Sequence, residues 1–167
     1  MSGKQNLEAV LGEIEEKSKA FGYISGTSML PMLKESRDIV VLIPAKDALR
    51  VGDVVLFVRE RKDDELVLHR IVKSVPGDGY LIRGDNTFWN EPVKREDVKA
   101  VAEGFFRKGK YCDCNKSRGY RLYVFYVLHF NFIRKFFRRT LRIAGAKVKN
   151  SVFHLDNLHL DDILKKK

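Results

Sequence analysis

Two short stretches carry the side chains best suited to chemistry: "GTSMLPM" at residues 26–32 and "VLHRIV" at residues 67–72. Ser28, in the first stretch, is a weak nucleophile until a base takes its proton, and His69, in the second, is a base that is neutral at pH 7 with little tuning. Gly26 permits unusual backbone dihedrals and Pro31 stiffens the exit, so this corner can turn an amide toward a developing oxyanion. The pair indicates a Ser–His hydrolase; a core histidine with satisfied hydrogen bonds is the alternative that spacing leaves open.

The surroundings of His69 favour the base assignment. In an extended strand, Val67, His69, Ile71 and Lys73 share one face, so the imidazole points into an apolar surface where exclusion of water strengthens a hydrogen bond to serine. Lys73 is a rival base on the same face. An unpaired lysine of ordinary pKa is protonated at pH 7 and cannot accept a proton.

The elements that must position these residues follow from the hydrophobic pattern. Residues 1–22 have apolar side chains at helical spacing and predict a short amphipathic helix that Gly22 ends. Residues 23–108 contain short runs rich in Val, Ile and Leu between turns, which predicts a mainly β fold, a compact antiparallel domain. Residues 109–167 predict a basic helical extension with a further short helix or a frayed end near the C-terminus.

Charge is concentrated at the C-terminal end. The formal net charge is +10, and residues 107–167 hold 16 Lys and Arg against 4 Asp and Glu. The first twenty residues are too acidic and broken for a signal peptide, and no apolar run reaches the ~20 residues that cross a bilayer. We therefore expect a cytoplasmic protein that is peripheral at a membrane if it binds one. The pair Cys112 and Cys114 lacks the second half of a zinc site, and so short a spacing rarely closes a disulfide, so both are interpreted as structural or incidental.

The basic amphipathic stretch at residues 122–144 leaves three interpretations. It is a solvated helix covering the β domain, an anchor for an anionic membrane surface, or a site for single-stranded nucleic acid. Phenylalanines beside basic residues favour the membrane over nucleic acid, because nothing in the sequence indicates a groove reader.

Four stretches occur in the order and approximate spacing of the motifs of one known superfamily. "GTSMLPML…RDIVVL", "RVGDVVLF", "VLHRIV" and "LIRGDNTFWNE" resemble those of the signal peptidase I and LexA-like serine peptidases, over about residues 24–106. The resemblance implies that Ser28 is the nucleophile and that Met29 packs beside the substrate groove, with Pro31 of the same motif assigned to substrate binding. A histidine at the base position is typical of archaeal and endoplasmic-reticulum signal peptidases, so His69 is the implied base.

The acid that orients His69 is left open by the resemblance. The "GDN" motif, Gly84–Asn86, lies beside the dyad in the family. The endoplasmic-reticulum members carry paired aspartates a few residues later, where this chain has Asn90 and Glu91. Either Asp85 or Glu91 is therefore the candidate.

The functional expectation is a serine endopeptidase of signal-peptidase type that removes a leader or signal-like segment from a precursor. The sequence contains neither the transmembrane anchor of signal peptidases nor a LexA-type DNA-binding unit, which favours leader trimming over routine export processing. The mechanism requires no cofactor and no metal. Two alternatives remain: a non-catalytic peptide-binding module held at an anionic membrane by the basic helix, and a regulator that cleaves only itself, with "IAGAKV" at residues 143–148 as the first place to look.

Overall fold

The computed structural model describes residues 3–45, 49–59, 65–77, 79–130 and 152–155, which form two α-helices and nine strands. In chain order these are α1 (Gly3–Lys17), β1 (Ala20–Ser25), β2 (Asp38–Pro44), β3 (Val54–Arg59), β4 (Glu65–Val75), β5 (Gly79–Arg83), β6 (Glu91–Lys94), β7 (Val98–Arg107), β8 (Lys110–Asp113), α2 (Arg118–His129) and β9 (Val152–Leu155). The prediction of a mainly antiparallel β protein with a short N-terminal helix and a C-terminal helix is confirmed.

The boundaries differ from expectation at both ends. α1 ends at Lys17 instead of Gly22, and Ala20–Ser25 form β1, in which buried and half-buried residues alternate as in a strand. In the expected helical extension, Lys110–Asp113 add a strand to β7, and Val152–Leu155 form a strand where a short helix or frayed end was predicted. The basic helix expected around residues 130–142 lies, beyond Phe130, outside the described residues.

The nine described strands form one antiparallel sheet. β4 pairs with β3, β3 with β7, β7 with β2, and β2 with β1. β5 and β6 continue from the other edge of β4, and β8 pairs with β7. β9 pairs with β1 along its length and with β4 at one register position, Val67 opposite Val152. The C-terminal strand thus lies between β1 and β4.

The hairpin of β3 and β4 separates two groups of buried apolar side chains. Leu66 and Leu68 belong to a larger core that also includes side chains of α1, whereas Val67 and Ile71 belong to a smaller core with Phe57. This division follows from the strand geometry, because successive side chains point to opposite faces. Each fully buried aliphatic side chain stabilises the fold by roughly 1.5–3 kcal/mol, so the register of β4 is firmly set.

The same alternation places two buried polar residues of β4 back to back. His69 is 1% exposed and lies on the side of the smaller core, with its ring centroid 6.0 Å from that of Phe57. Arg70 is 0% exposed and faces the larger core, where its guanidinium approaches Tyr120 of α2. A buried polar group without a partner is costly, so each of these side chains requires its own set of polar contacts.

Candidate active site

The serine lies on a tight turn between β1 and β2. Gly26 has a φ of 99°, in the left-handed region that favours glycine, and the Leu30–Pro31 peptide bond is cis. Asn86 stabilises the turn with two hydrogen bonds. Its backbone N–H donates to the Ser28 carbonyl at 2.6 Å, and its side-chain amide donates to the Thr27 carbonyl at 2.9 Å. The "GDN" motif therefore holds the serine turn in place.

The structure brings the two predicted catalytic residues together. Ser28 Oγ and His69 Nε2 are 2.9 Å apart, which is hydrogen-bonding distance, although 41 residues separate them in the chain. Ser28 is 0% and His69 1% exposed, so the pair is shielded from water. In such a low-dielectric environment the hydrogen bond is stronger than it would be at the surface.

Gly84 makes this close approach sterically feasible. A Cβ at this position would lie 2.7 Å from the Ser28 carbonyl oxygen, 2.9 Å from Ser28 Cβ and 3.0 Å from His69 Nε2. Backbone and ring atoms cannot move aside as a flexible side chain would. A residue with any side chain at position 84 would push the serine turn and the imidazole apart.

The second ring nitrogen of His69 has a carboxylate nearby but no hydrogen bond. Within the described part of the chain, the buried Nδ1 atom lacks a hydrogen-bond partner, and Glu91 Oε2 lies 4.0 Å from it. Both carboxylate oxygens of Glu91 instead accept from Arg59: Nε donates to Oε1 at 2.6 Å, and a terminal guanidinium nitrogen donates to Oε2. Of the two predicted acids, Glu91 is therefore beside the histidine, held by an arginine that the sequence analysis did not identify.

The environment keeps His69 neutral. Burial, followed by the positive charge of Arg59, lowers its pKa from 6.5 to about 4, and the carboxylates of Glu91 and Asp85 oppose this shift. The imidazole is therefore unprotonated at pH 7 and can accept a proton from Ser28. Protonation would place a positive charge next to Glu91.

Asp85 occupies a different network from the one expected for an orienting acid. Its Oδ1 and Oδ2 atoms each accept a hydrogen bond from Arg70 at 2.7 Å, and its Oδ2 also accepts from the Tyr123 hydroxyl at 3.1 Å. Arg70 in turn donates to the Gly52 carbonyl and to the Tyr120 hydroxyl. Asp85 thus neutralises a buried arginine and ties the "GDN" turn to α2.

Other predicted residues are placed as follows. Met29 is 0% exposed and packs in the larger core, whereas Pro31 is exposed. Lys73, the rival base, is exposed, and the register of β4 against β5 shifts between Ile71 and Lys73, so strict alternation does not hold there. Of the two side chains predicted as bases, His69 is the one that contacts Ser28.

Two arginines were missed by the sequence analysis, Arg59 and Arg70. Arg70 could have been found, because an arginine between apolar residues in a predicted central strand must meet a buried carboxylate. Arg59 carried no such signal, since it stands at the edge of a charged hairpin. Among the described residues, no group of three or more His, Cys, Asp or Glu is arranged to hold a metal ion.

Comparisons of the chain with protein-family models, with curated proteins and with solved structures find no match in any of the three. The interpretation of the site therefore depends on its own geometry.

Proposed function

We propose that this protein is a serine endopeptidase of the signal-peptidase type, which cuts a leader or signal-like segment from a peptide or protein precursor. The observation that supports this is the 2.9 Å contact between Ser28 Oγ and His69 Nε2. This contact supports a peptidase because it joins a hydroxyl and a neutral imidazole by one hydrogen bond in a site that excludes water. A purely structural role for Ser28 and His69 would require neither this pairing nor the absence of a side chain at Gly84 that permits it.

The mechanism follows from these atoms. Ser28 Oγ attacks the scissile carbonyl carbon while His69 Nε2 takes the hydroxyl proton, giving a tetrahedral oxyanion and an imidazolium. The C–N bond breaks as the imidazolium returns its proton to the leaving amine, which leaves an acyl ester on Ser28. Water then attacks the ester carbon and loses a proton to His69. The bond between that carbon and Ser28 Oγ breaks, His69 returns the proton to Oγ, and the peptide fragment leaves with a new carboxyl group. Glu91 lies where it can stabilise the transient positive charge on Nδ1.

The test is cleavage of a proteome-derived peptide library, with cut sites identified by mass spectrometry. Wild-type protein should cut a set of peptides, and Ser28→Ala and His69→Ala should each abolish cutting while remaining folded. Ser74→Ala and Lys73→Ala, at exposed positions of the same strand, are matched controls that should retain activity. Full activity in either dyad variant would reject the assignment.

A second candidate function is supported by the burial of the dyad. Because Ser28 is 0% exposed, no substrate reaches its hydroxyl in this conformation, as would suit a non-catalytic peptide-binding module. A serine-directed phosphonate probe separates the two functions. Covalent labelling of Ser28 that is lost in His69→Ala supports the peptidase; peptide binding without labelling or turnover supports the module.

Attachment to an anionic membrane surface is the partner proposal that accompanies this function. Four large apolar side chains of the helix and its end are exposed at positions that share one helical face: Leu122 (71%), Phe125 (53%), Tyr126 (44%) and Phe130 (37%). Basic residues dominate this end of the chain, as interfacial helices require. Neither described helix is long and apolar enough to cross a bilayer.

Flotation with lipid vesicles tests the membrane contact. Vesicles rich in anionic lipid should retain the protein at low salt, neutral vesicles should retain less, and Leu122→Glu/Phe125→Glu should abolish retention. Val51→Glu, at an exposed apolar residue outside α2, is the control and should behave like wild type. Equal retention of the α2 variant would remove this proposal.

A further inference from the structure

The C-terminal strand β9 occupies a position between two strands that lead to the dyad. Its four residues pair antiparallel with β1, from Gly22 opposite Leu155 to Ser25 opposite Val152. At the same end, Val152 also pairs with Val67 of β4. The end of β9 that contacts both neighbours is therefore its N-terminal end.

That end is the one next to the catalytic pair. Ser28 follows Ser25 by three residues and His69 follows Val67 by two, so at most ~11 Å and ~7 Å of chain separate the dyad residues from the positions that Val152 pairs with. A peptide running in the path of β9 would be led directly to Ser28 and His69.

The edge of β4 opposite β3 also places His69 next to the end of β9. On this edge, Val67 pairs with β9, whereas pairing with β5 begins at Arg70 opposite Arg83. His69 lies between these two positions, at the junction of β9 and β5. Gly84, which follows β5 directly, is the residue that packs against the dyad.

We propose that β9 is an intramolecular occupant of the peptide-binding slot between β1 and β4, and that its release opens the slot to an extended peptide in trans. The ligand class is a segment of about four residues in β conformation, recognised chiefly through backbone hydrogen bonds to β1. The consequence for catalysis, a closed site while β9 is seated, depends on the proposed peptidase function; the slot itself does not. Complete burial of Ser28 agrees with a closed form.

Two prolines would displace β9 in the 167-residue chain. In an antiparallel pair, hydrogen-bonded and non-hydrogen-bonded positions alternate, so one of two consecutive residues of β9 donates its N–H to β1. Phe153→Pro/His154→Pro removes both N–H groups and must therefore remove that bond. Phe153→Val/His154→Thr, which keeps both N–H groups and strand-forming residues, is the matched control.

The probe is a fluorescein-labelled synthetic peptide with the sequence of residues 150–157, and binding is followed by fluorescence anisotropy. Because a tethered strand competes at an effective concentration near millimolar, we expect the proline variant to bind the peptide about tenfold or more tightly than wild type and the control variant. Equal affinity of all three proteins would overturn the inference. Unlabelled peptide should displace the probe, whereas a version with prolines at the two substituted positions should not.

A second measurement covers the case in which the proline variant fails to fold. In wild-type protein, native-state hydrogen exchange should show the amides of 152–155 exchanging at least about tenfold faster than those of β2, because β9 opens locally while the central strands open only with global unfolding. Exchange as slow as that of β2 would contradict a releasable strand.

Phosphonate labelling of Ser28 separates this inference from the peptidase proposal. Tighter peptide binding together with faster labelling in the proline variant supports both. Tighter binding without labelling supports the slot and rejects the peptidase. Labelling in wild type with unchanged peptide binding supports the peptidase and rejects β9 as the occupant.

Discussion

Glu91 lies 4.0 Å from Nδ1 of His69, yet both of its oxygens accept hydrogen bonds from Arg59. The carboxylate is thus close enough to act on the imidazole electrostatically but is not bonded to it in this conformation. A short movement of Glu91 would create the Nδ1–H to carboxylate hydrogen bond that orients a catalytic histidine. Arg59 therefore holds the Glu91 carboxylate in its present position.

The first prediction concerns the pKa of His69. Glu91 raises this pKa and Arg59 lowers it, so Glu91→Gln should lower it further and Arg59→Gln should raise it toward 6.5. NMR titration of the His69 ring measures both shifts. Glu65→Gln removes the other carboxylate of Arg59 and serves as the control, with a smaller effect expected.

Glu91→Gln should also reduce turnover more than substrate binding. A hydrogen bond to a charged group is worth about 1.5–3 kcal/mol, so loss of the acid in Glu91→Gln should reduce kcat roughly 10-fold to 100-fold. Its effect on KM should be small, because the imidazolium forms only during the reaction. A kcat equal to that of wild type would exclude Glu91 as the orienting acid.

The second prediction concerns Gly84. Alanine at this position places a Cβ against the Ser28 carbonyl and His69 Nε2, so Gly84→Ala should destabilise the fold by about 1–3 kcal/mol. It should also slow phosphonate labelling of Ser28, because the hydroxyl and imidazole are forced apart. Urea denaturation and the labelling rate are the measurements.

A matched glycine tests whether the Gly84 effect is steric. Among the described residues, no atom outside the local helix backbone lies within 4 Å of a Cβ added at Gly12, inside α1. Gly12→Ala should therefore leave labelling unchanged and stabilise the helix slightly. If both alanine variants behaved alike, the steric account of the dyad would be wrong.

The third prediction concerns pH. The folded pKa of His69 is about 4 against 6.5 for the free side chain, so the unfolded chain binds more protons between these values and stability falls as the pH drops through that window. By about pH 5 this group should cost the native state about 2 kcal/mol relative to neutral pH. Urea unfolding of wild type and His69→Gln at both pH values isolates the contribution, because only wild type should show it.

The fourth prediction assigns Asp85 a structural role. Removing one member of a buried ion pair leaves an uncompensated charge, so Asp85→Ala should destabilise the protein by about 3–5 kcal/mol. Arg70→Met/Asp85→Leu should recover much of that loss, because no buried charge remains. Urea denaturation measures both. Glu96→Ala breaks an exposed pair with Lys94 and should change stability little.

The local sequence was sufficient for the strands that carry the site. Short runs rich in Val, Ile and Leu between turn residues predicted strands within residues 23–108, and β2, β3, β4, β5 and β7 lie there. Ser28 and His69 were singled out as chemical types in defined local contexts, a turn with glycine and proline and an apolar strand. Both kinds of signal are contained within a few consecutive residues.

The short strands that depend on partners were missed. β6 and β9 are four residues each, and neither carries enough hydrophobic pattern to be distinguished from loop or helix end. They are strands because β5 and β1 offer edges for them to pair with. Local sequence patterns do not show which strand edges will be available for pairing.

By itself, the sequence determined which side chains are available for chemistry and which segments are extended, since residue type and period are local properties. Only the tertiary structure decided that Ser28 meets His69, that Glu91 lies 4.0 Å from the imidazole while Asp85 is bonded to Arg70, and that β9 pairs with both β1 and β4. These are contacts between residues far apart in the chain, and they arise from how strands pair and which buried charges must be neutralised. Asp85 pairs with Arg70 because a buried guanidinium requires a carboxylate. This requirement arises only when the packing of β4 buries Arg70.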